Sequence, residues 1–191
     1  IKAVAELLKT AKRPLVVAGG GVLYSKGGCE ALKTFVETHG IPVGETHAGK
    51  SVLAWDHPML AGAIGVTGSP AANELAAEAD VVMAVGTRLQ DFTTGSHSLY
   101  AKAKLISINV NTFDVIKWGG QSVQADAAVA LAALSQELGA WKSNSTWQEK
   151  SLRLSANWRS AVGEIVVSSR AALPTYAEVI GAVQASSAES T

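Results

Sequence analysis

Short β-branched runs alternate with helix-patterned segments along most of this chain, and that alternation constrains its fold more than any single motif. RPLVVAGGG (residues 13–21) is the first run. Its consecutive apolar residues leave no polar face, as expected of a parallel strand covered on both sides. IPVGE (41–45), ADVVMAVG (79–86), KLISINV (104–110) and SVQAD (122–126) repeat the pattern. Between them, residues 25–39 set Leu32, Phe35 and Val36 on one helical face and stop at Gly40. A second helix is predicted over 70–78, with Ser69 as its N-cap and Pro70 at its first position, and a third over 127–138. Strands that alternate with helices pair in parallel. The pattern therefore predicts an α/β fold: an open parallel sheet of about six strands with helices on both faces, Rossmann-like in architecture.

Composition narrows the function classes. The 191 residues are enough to bury a core without covalent staples. Lys+Arg 16 balance Asp+Glu 16, and no long basic run is present, which argues against nucleic acid and anionic membrane as partners. Cys29 is the one cysteine, so there is no disulfide framework, and a reducing compartment, the cytoplasm, is expected. No apolar run approaches the roughly 20 residues of a membrane span, and no charged start followed by an apolar stretch marks a secretion signal.

From Trp147 onward the strands cease. Trp147, Leu154, Trp158, Val162 and Ile165 recur at helical spacing, with Ser145 and Gln148 as a candidate capping box. This stripe is expected to pack back on the sheet, with a bridge to a neighbouring domain as the alternative. LPTYAEVIGAVQ (173–184) carries a second capping box, Thr175 and Glu178, and reads as the opening helix of a further, truncated unit.

Several motifs invite a nucleotide. GETHAGKS (44–51) satisfies the phosphate-loop pattern, whose lysine and hydroxyl must open a long helix. Here Pro58 follows too soon for that helix, so the segment is expected to be a loop that leaves the second strand and sets Thr46 and Lys50 near the carboxyl edge of the sheet. AGGGVLY offers Gly19 and Gly21 to a dinucleotide fingerprint, but Tyr24 stands where the third glycine belongs. Glu45, at the end of the second strand, is placed to imitate a ribose-binding acid. Gly62, Gly65 and Gly68 precede the capped helix at Pro70, which reads either as a phosphate seat or as a turn that needs glycine dihedrals. Arg88, just past a buried strand, is placed to grip phosphate or carboxylate, with a local salt bridge to Asp91 as the alternative. The four histidines show no metal spacing, and no nucleophile elbow is present.

The order GGG, T-x-x-GK, HP, G-x-x-G-x-x-G, AN, AD-VV, G-x-R-x-x-D and a strand ending in IN resembles the central domain of thiamine-diphosphate-dependent enzymes, the group that includes acetohydroxyacid synthase and oxalyl-CoA decarboxylase. Within it, ETHAGKS, AIGVTGSPAANELAAEAD, VGTRLQDFTTGS and INVNTFDVIK are most similar to the inositol-catabolic hydrolases. The resemblance implies a central domain over 1–140, a helical extension or linker over 141–172, and over 173–191 the start of a C-terminal diphosphate-binding domain.

It also implies thiamine diphosphate and Mg2+ bound outside this stretch, since neither the activating glutamate nor a GDG motif can be found here. The stretch alone would then be inactive. The implied reaction of the parent is hydrolytic cleavage of a C–C bond in a cyclic polyol dione, trihydroxycyclohexane-1,2-dione, to a 5-deoxy-glucuronate, with the cofactor supplying the hard chemistry. The implied partners are the other domains of the same polypeptide and further copies in a homo-oligomer. In flavin-dependent relatives the glycine turn and the G-x-R segment touch an adenine dinucleotide, which carries onto Gly20, Gly21, Thr87 and Arg88. FAD or ADP is not expected at these positions in the inositol branch, where they form a vestigial site. An acetolactate synthase-like carboligase domain and a stand-alone dinucleotide module or dehydrogenase are the alternatives.

Overall fold

A computed structural model describes residues 1–116, 118–167, 169 and 173–187. Its first compact unit, Ile1–Ser155, is built on six parallel strands: β1 (Pro14–Ala18), β2 (Val43–Glu45), β3 (Leu60–Ala63), β4 (Val81–Val85), β5 (Lys104–Asn109) and β6 (Gln121–Gln124). The order across the sheet is β3-β2-β1-β4-β5-β6. Every pairing is parallel, as the strand–helix alternation predicts. Helix α1 (Lys2–Lys9) precedes β1, and α2 (Gly20–Tyr24) and α3 (Gly28–His39) follow it. Then come α4 (Pro70–Glu78), α5 (Asp91–Thr94), α6 (Phe113–Ile116), α7 (Ala127–Leu138) and α8 (Ser145–Ile165), which runs on past Ser155.

The central strands β1 and β4 are buried on both faces, whereas β6 at the sheet's edge is largely exposed. Val16, Ala18, Val81, Met83, Val85, Ile106 and Ile108 point to one side and join α1, α3 and α7 in a single core, through Val4, Leu8, Leu32, Phe35, Leu131 and Leu134. The alternate strand residues Leu15, Val17, Val82 and Ala84 are equally buried on the other side. A right-handed crossover from β3 to β4 places α4 there, and its Ala71, Ala72, Leu75 and Ala76 are buried. Each buried Leu, Val or Phe side chain contributes about 1.5–3 kcal/mol, so this two-sided burial dominates the unit's stability.

Local chemistry sets the ends of the elements. Gly40 closes α3 in the left-handed conformation at φ 64°. Ser69 caps α4 by accepting from the Ala72 N–H, and Asp126 caps α7 by accepting from Ala128 and Val129. The Ser25 hydroxyl also donates to Asp126 and helps hold that carboxyl below its ordinary pKa.

Two elements differ from the sequence reading. β3 is LAGA, without a β-branched residue; its pairing with β2 makes it a strand, with a register irregularity at Val43/Gly44. α8 is capped by Asn144, whose side chain accepts from the Thr146 N–H, while Gln148 donates to the Ser143 carbonyl; Ser145 and Gln148 form no box. Along α8 the buried residues are Trp147, Ser151 and Ser155, whereas Leu154, Trp158 and Val162 are half-buried and Ile165 is exposed. At 100° per residue all of these positions share one face of α8, so the burial falls off along the helix, from Trp147 to Ile165, and not around it.

The second unit starts at Ala156 and contains the rest of α8 together with α9 (Tyr176–Ser186). Thr175 and Glu178 form the expected capping box: the Thr175 hydroxyl accepts from the Glu178 N–H, and the Glu178 carboxylate accepts from the Thr175 N–H. Hydrogen bonds from the backbone of Ser169 and of Thr175 bring the Glu178 carboxyl down to about 2.

Candidate functional site

Strand order reverses between β1 and β4, and open parallel sheets bind ligands in the crevice outside the carboxyl ends at such a reversal. A cleft of about 330 Å3 opens there. Gly20 and Gly21 of α2, Thr46 after β2, and Thr87 and Arg88 after β4 line it, so five sequence-selected residues meet in one place. Lys50 does not line it. Tyr24, His47 and Phe92 complete the walls, and sequence reasoning assigned none of them a role at a site. Only the misfit of Tyr24 to the glycine fingerprint marked it.

Close backbone approach shapes the cleft floor. β4 ends at Gly86, φ 62°, where a Cβ would stand 2.7 Å from the Gly21 backbone. The Gly19 N–H donates to the Val85 carbonyl at 2.8 Å and the Gly21 N–H to the Gly86 carbonyl at 2.9 Å. Two of the three amides of the glycine turn are thus taken up by the end of β4. On the remaining side, a Cβ at Gly20 would stand 2.8 Å from the Ala48 carbonyl oxygen. A dinucleotide seat needs free amides and an open approach to these glycines, and this turn, as folded, does not fit a pyrophosphate.

The neighbouring loops account for the other motifs. Glu45 is fully buried, and its carboxylate accepts from Lys50 Nζ at 2.6 Å and from the Ser51 N–H at 3.1 Å. It is therefore not free to hold a ribose, and Lys50 serves it as a counter-ion from an exposed position. After Thr46 the chain makes a single 3-10 turn, His47–Gly49, which the Thr46 hydroxyl caps, and no α-helix follows Lys50 and Ser51. GETHAGKS is thus a loop, as the proximity of Pro58 predicts. In the glycine segment before α4, the Asn73 side chain bonds both the N–H and the carbonyl of Gly65, and Ser69 bonds the Ala61 carbonyl and the Ala72 N–H. These internal partners, with Gly62 and Gly65 at positive φ, account for the segment as a tight connection.

Arg88 is exposed and, among the described residues, makes neither a hydrogen bond nor an ion pair; no salt bridge to Asp91 forms. His47 lies edge-on to Phe92, ring centres 5.2 Å apart, and shares a hydrogen bond with the Thr67 hydroxyl. Among the described residues no group of three or more His, Cys, Asp or Glu is arranged to hold a metal ion. His39 and His57 hold the fold together: His39 bridges the Trp141 carbonyl and Ser135, and His57 accepts from the Met59 N–H and meets Glu37 at 3.0 Å. The cleft can hold an anionic or aromatic group against Arg88 and the rings. It contains no assembled set for acid–base or nucleophilic chemistry.

Comparison with known proteins decides the family. The family described as thiamine pyrophosphate enzyme, central domain, matches residues 1–134. The chain belongs to that family. Curated relatives called 3D-(3,5/4)-trihydroxycyclohexane-1,2-dione hydrolase include one from Geobacillus thermodenitrificans, 44% identical over 134 residues, which are 70% of this chain and 21% of the relative. One from Clostridium tetani is 38% identical over 162 residues, 84% of this chain and 25% of the relative. One from Bacillus cereus is 47% identical over 135 residues, again 70% and 21%. This central domain therefore spans a quarter or less of the length of these relatives. The Rossmann-like sheet and the family resemblance read from the motif order are both upheld. Among the described residues no helix is long and apolar enough to cross a membrane.

Proposed function

We propose that this chain is the central domain of a thiamine-diphosphate- and Mg2+-dependent enzyme that hydrolyses a C–C bond of trihydroxycyclohexane-1,2-dione, giving a 5-deoxy-glucuronate. The observation that carries this reading is the 44–47% identity to the named hydrolases over the sheet domain. The chain has no GDG motif and, among its described residues, no metal-binding cluster, so its residues do not fit thiamine diphosphate or Mg2+. Those groups are held by other parts of the polypeptide. This domain's own part is to hold neighbouring domains and subunits in place around the substrate entrance, within a cytoplasmic homo-oligomer.

The cleft residues Gly20, Gly21, Thr87 and Arg88, with Thr46, form a vestigial nucleotide site that binds no flavin. The engaged amides of Gly19 and Gly21 support this, and they also weigh against a stand-alone dehydrogenase. Residues 173–191 begin the diphosphate-binding domain. In support, Tyr176, Val179, Ile180 and Val183 form an exposed apolar stripe along α9, a face in need of further chain.

Expression of the natural reading frame that contains this chain tests the proposal. Consumption of the cyclic dione that requires both thiamine diphosphate and Mg2+, with deoxy-glucuronate as product, is the expected result. Acetolactate formed from pyruvate would replace it with the carboligase reading. The 191-residue chain alone is expected to turn over neither substrate.

A further inference from the structure

The loops that leave the carboxyl ends of the strands carry large apolar side chains in the open. Tyr24 after β1, Val66 after β3, Phe92 after β4, and Val110 and Phe113 after β5 are all exposed. Most of them are demonstrably neighbours. The Val66 N–H donates to the Phe92 carbonyl at 2.9 Å, and Tyr24 and Phe92 are walls of the same cleft. The Asn109 side chain, adjoining Val110, donates to the Thr87 carbonyl at 3.0 Å, next to Arg88. Single exposed apolar residues are ordinary, but a contiguous run of them marks an interaction surface.

Arg88 lies within this run with no partner among the described residues. No acidic side chain lines the cleft. Aromatic rings around an unpaired arginine are the composition of the buried centre of a protein interface. The closed glycine turn removes the competing use of this edge as a pyrophosphate seat.

We propose that the carboxyl edge of the sheet is a docking face for another domain of the same polypeptide, which lays an apolar surface over Tyr24, Phe92 and Val110 and sets a carboxylate against Arg88. The lengths of the relatives indicate this occupant: the matched segment is 21–25% of each, which leaves about three quarters of a relative's chain outside it. Charge complementarity indicates the carboxylate, since Arg88 needs a partner that the cleft does not provide. The inference rests on the reading of the chain as one domain of a longer polypeptide, and not on the ring-opening reaction.

The test uses the full-length polypeptide with a photo-crosslinking residue, Phe92→p-benzoylphenylalanine and, separately, Phe113→p-benzoylphenylalanine. Mixing light and heavy isotope-labelled chains distinguishes crosslinks within a chain from those between copies. The expected result is a crosslink within one chain to a residue outside this segment. Arg88→Glu is expected to cut the Phe92 yield about tenfold, while Arg88→Lys largely keeps it. Crosslinks found solely between copies, or none at all, would overturn the proposal. A polypeptide that crosslinks as expected yet opens no ring would sink the proposed reaction and leave the docking face standing.

Discussion

The two edges of the sheet carry the same six strands but are finished in opposite ways. At the amino edge polar groups find partners within the chain, around a cleft of about 740 Å3 lined by Arg13, Glu78, Trp147 and Lys150. The Lys12 and Arg13 N–H groups both donate to the Asp80 carboxylate, tying the starts of β1 and β4 together. Trp147 lies over that edge, 4% exposed, with its indole N–H donating to the Pro14 carbonyl at 2.9 Å. Lys150 pairs with both Glu74 and Glu78, and its bond to Glu78 is the main cause of its raised pKa. The Ser143 hydroxyl donates to the Gly40 carbonyl. At the carboxyl edge the backbone is just as tightly locked, by Gly19, Gly21 and Gly86, but the side chains above it are unmatched: Arg88 has no partner among the described residues and Tyr24 is 92% exposed. The contrast is in pairing: side chains such as Trp147 and Lys150 are matched at one edge, whereas Arg88 is unmatched among the described residues at the other.

Replacing Trp147 should break the contrast most visibly. Trp147→Ala removes a buried ring and leaves the Pro14 carbonyl without its donor, so urea unfolding of the chain should show a loss of about 3–5 kcal/mol. A loss under about 1 kcal/mol would mean that α8 does not hold the amino edge.

Gly86→Ala probes the locked layer beneath the open edge. The new methyl group would lie 2.7 Å from the Gly21 backbone at a left-handed φ, and a loss of about 2–4 kcal/mol is expected in the same measurement. A neutral result would show that the β1 and β4 ends have room to separate, and would reopen the pyrophosphate reading.

Arg88→Ala should have the smallest effect. With no partner among the described residues, the substitution is expected to stay within about 0.5 kcal/mol. A larger loss would show that the carboxyl edge is as self-satisfied as the amino edge.

Much of this architecture was legible in the sequence because a strand covered on both faces leaves a continuous apolar run, and PLVVA, VVMAV and KLISIN are such runs. The helix that starts at Pro70 was legible from Ser69, whose hydroxyl can satisfy an otherwise orphaned amide. LAGA was not legible: small residues carry little intrinsic preference, and β3 exists because β2 offers it a ladder. The stripe of α8 was legible as a face but not in its extent: helical spacing says which residues share a face, while the neighbours decide how far along it the burial runs, here from Trp147 through Ser151 to Ser155.

The candidate site divides in the same way. Arg88 was marked by its position just past a strand end, where a parallel sheet places its crevice, while Gly20, Gly21 and Thr87 were carried over from the family resemblance. Tyr24 of α2, His47 of the 3-10 turn and Phe92 of α5 join them, and no spacing in the chain announces that convergence. Glu45 and Lys50 looked available to a ligand until the fold paired them with each other.

What the sequence determined by itself was local or periodic: strand and helix alternation, capping residues, the proline that forbids a phosphate-loop helix, and the motif order that marks the family. What only the tertiary structure decided was which groups are already satisfied. Contacts across long stretches of chain depend on where the sheet brings its ends, as for Asp80 with the Lys12 and Arg13 N–H groups. Even the local turn that closes Glu45 with Lys50 and Ser51 is set by the burial of that carboxylate at the end of β2.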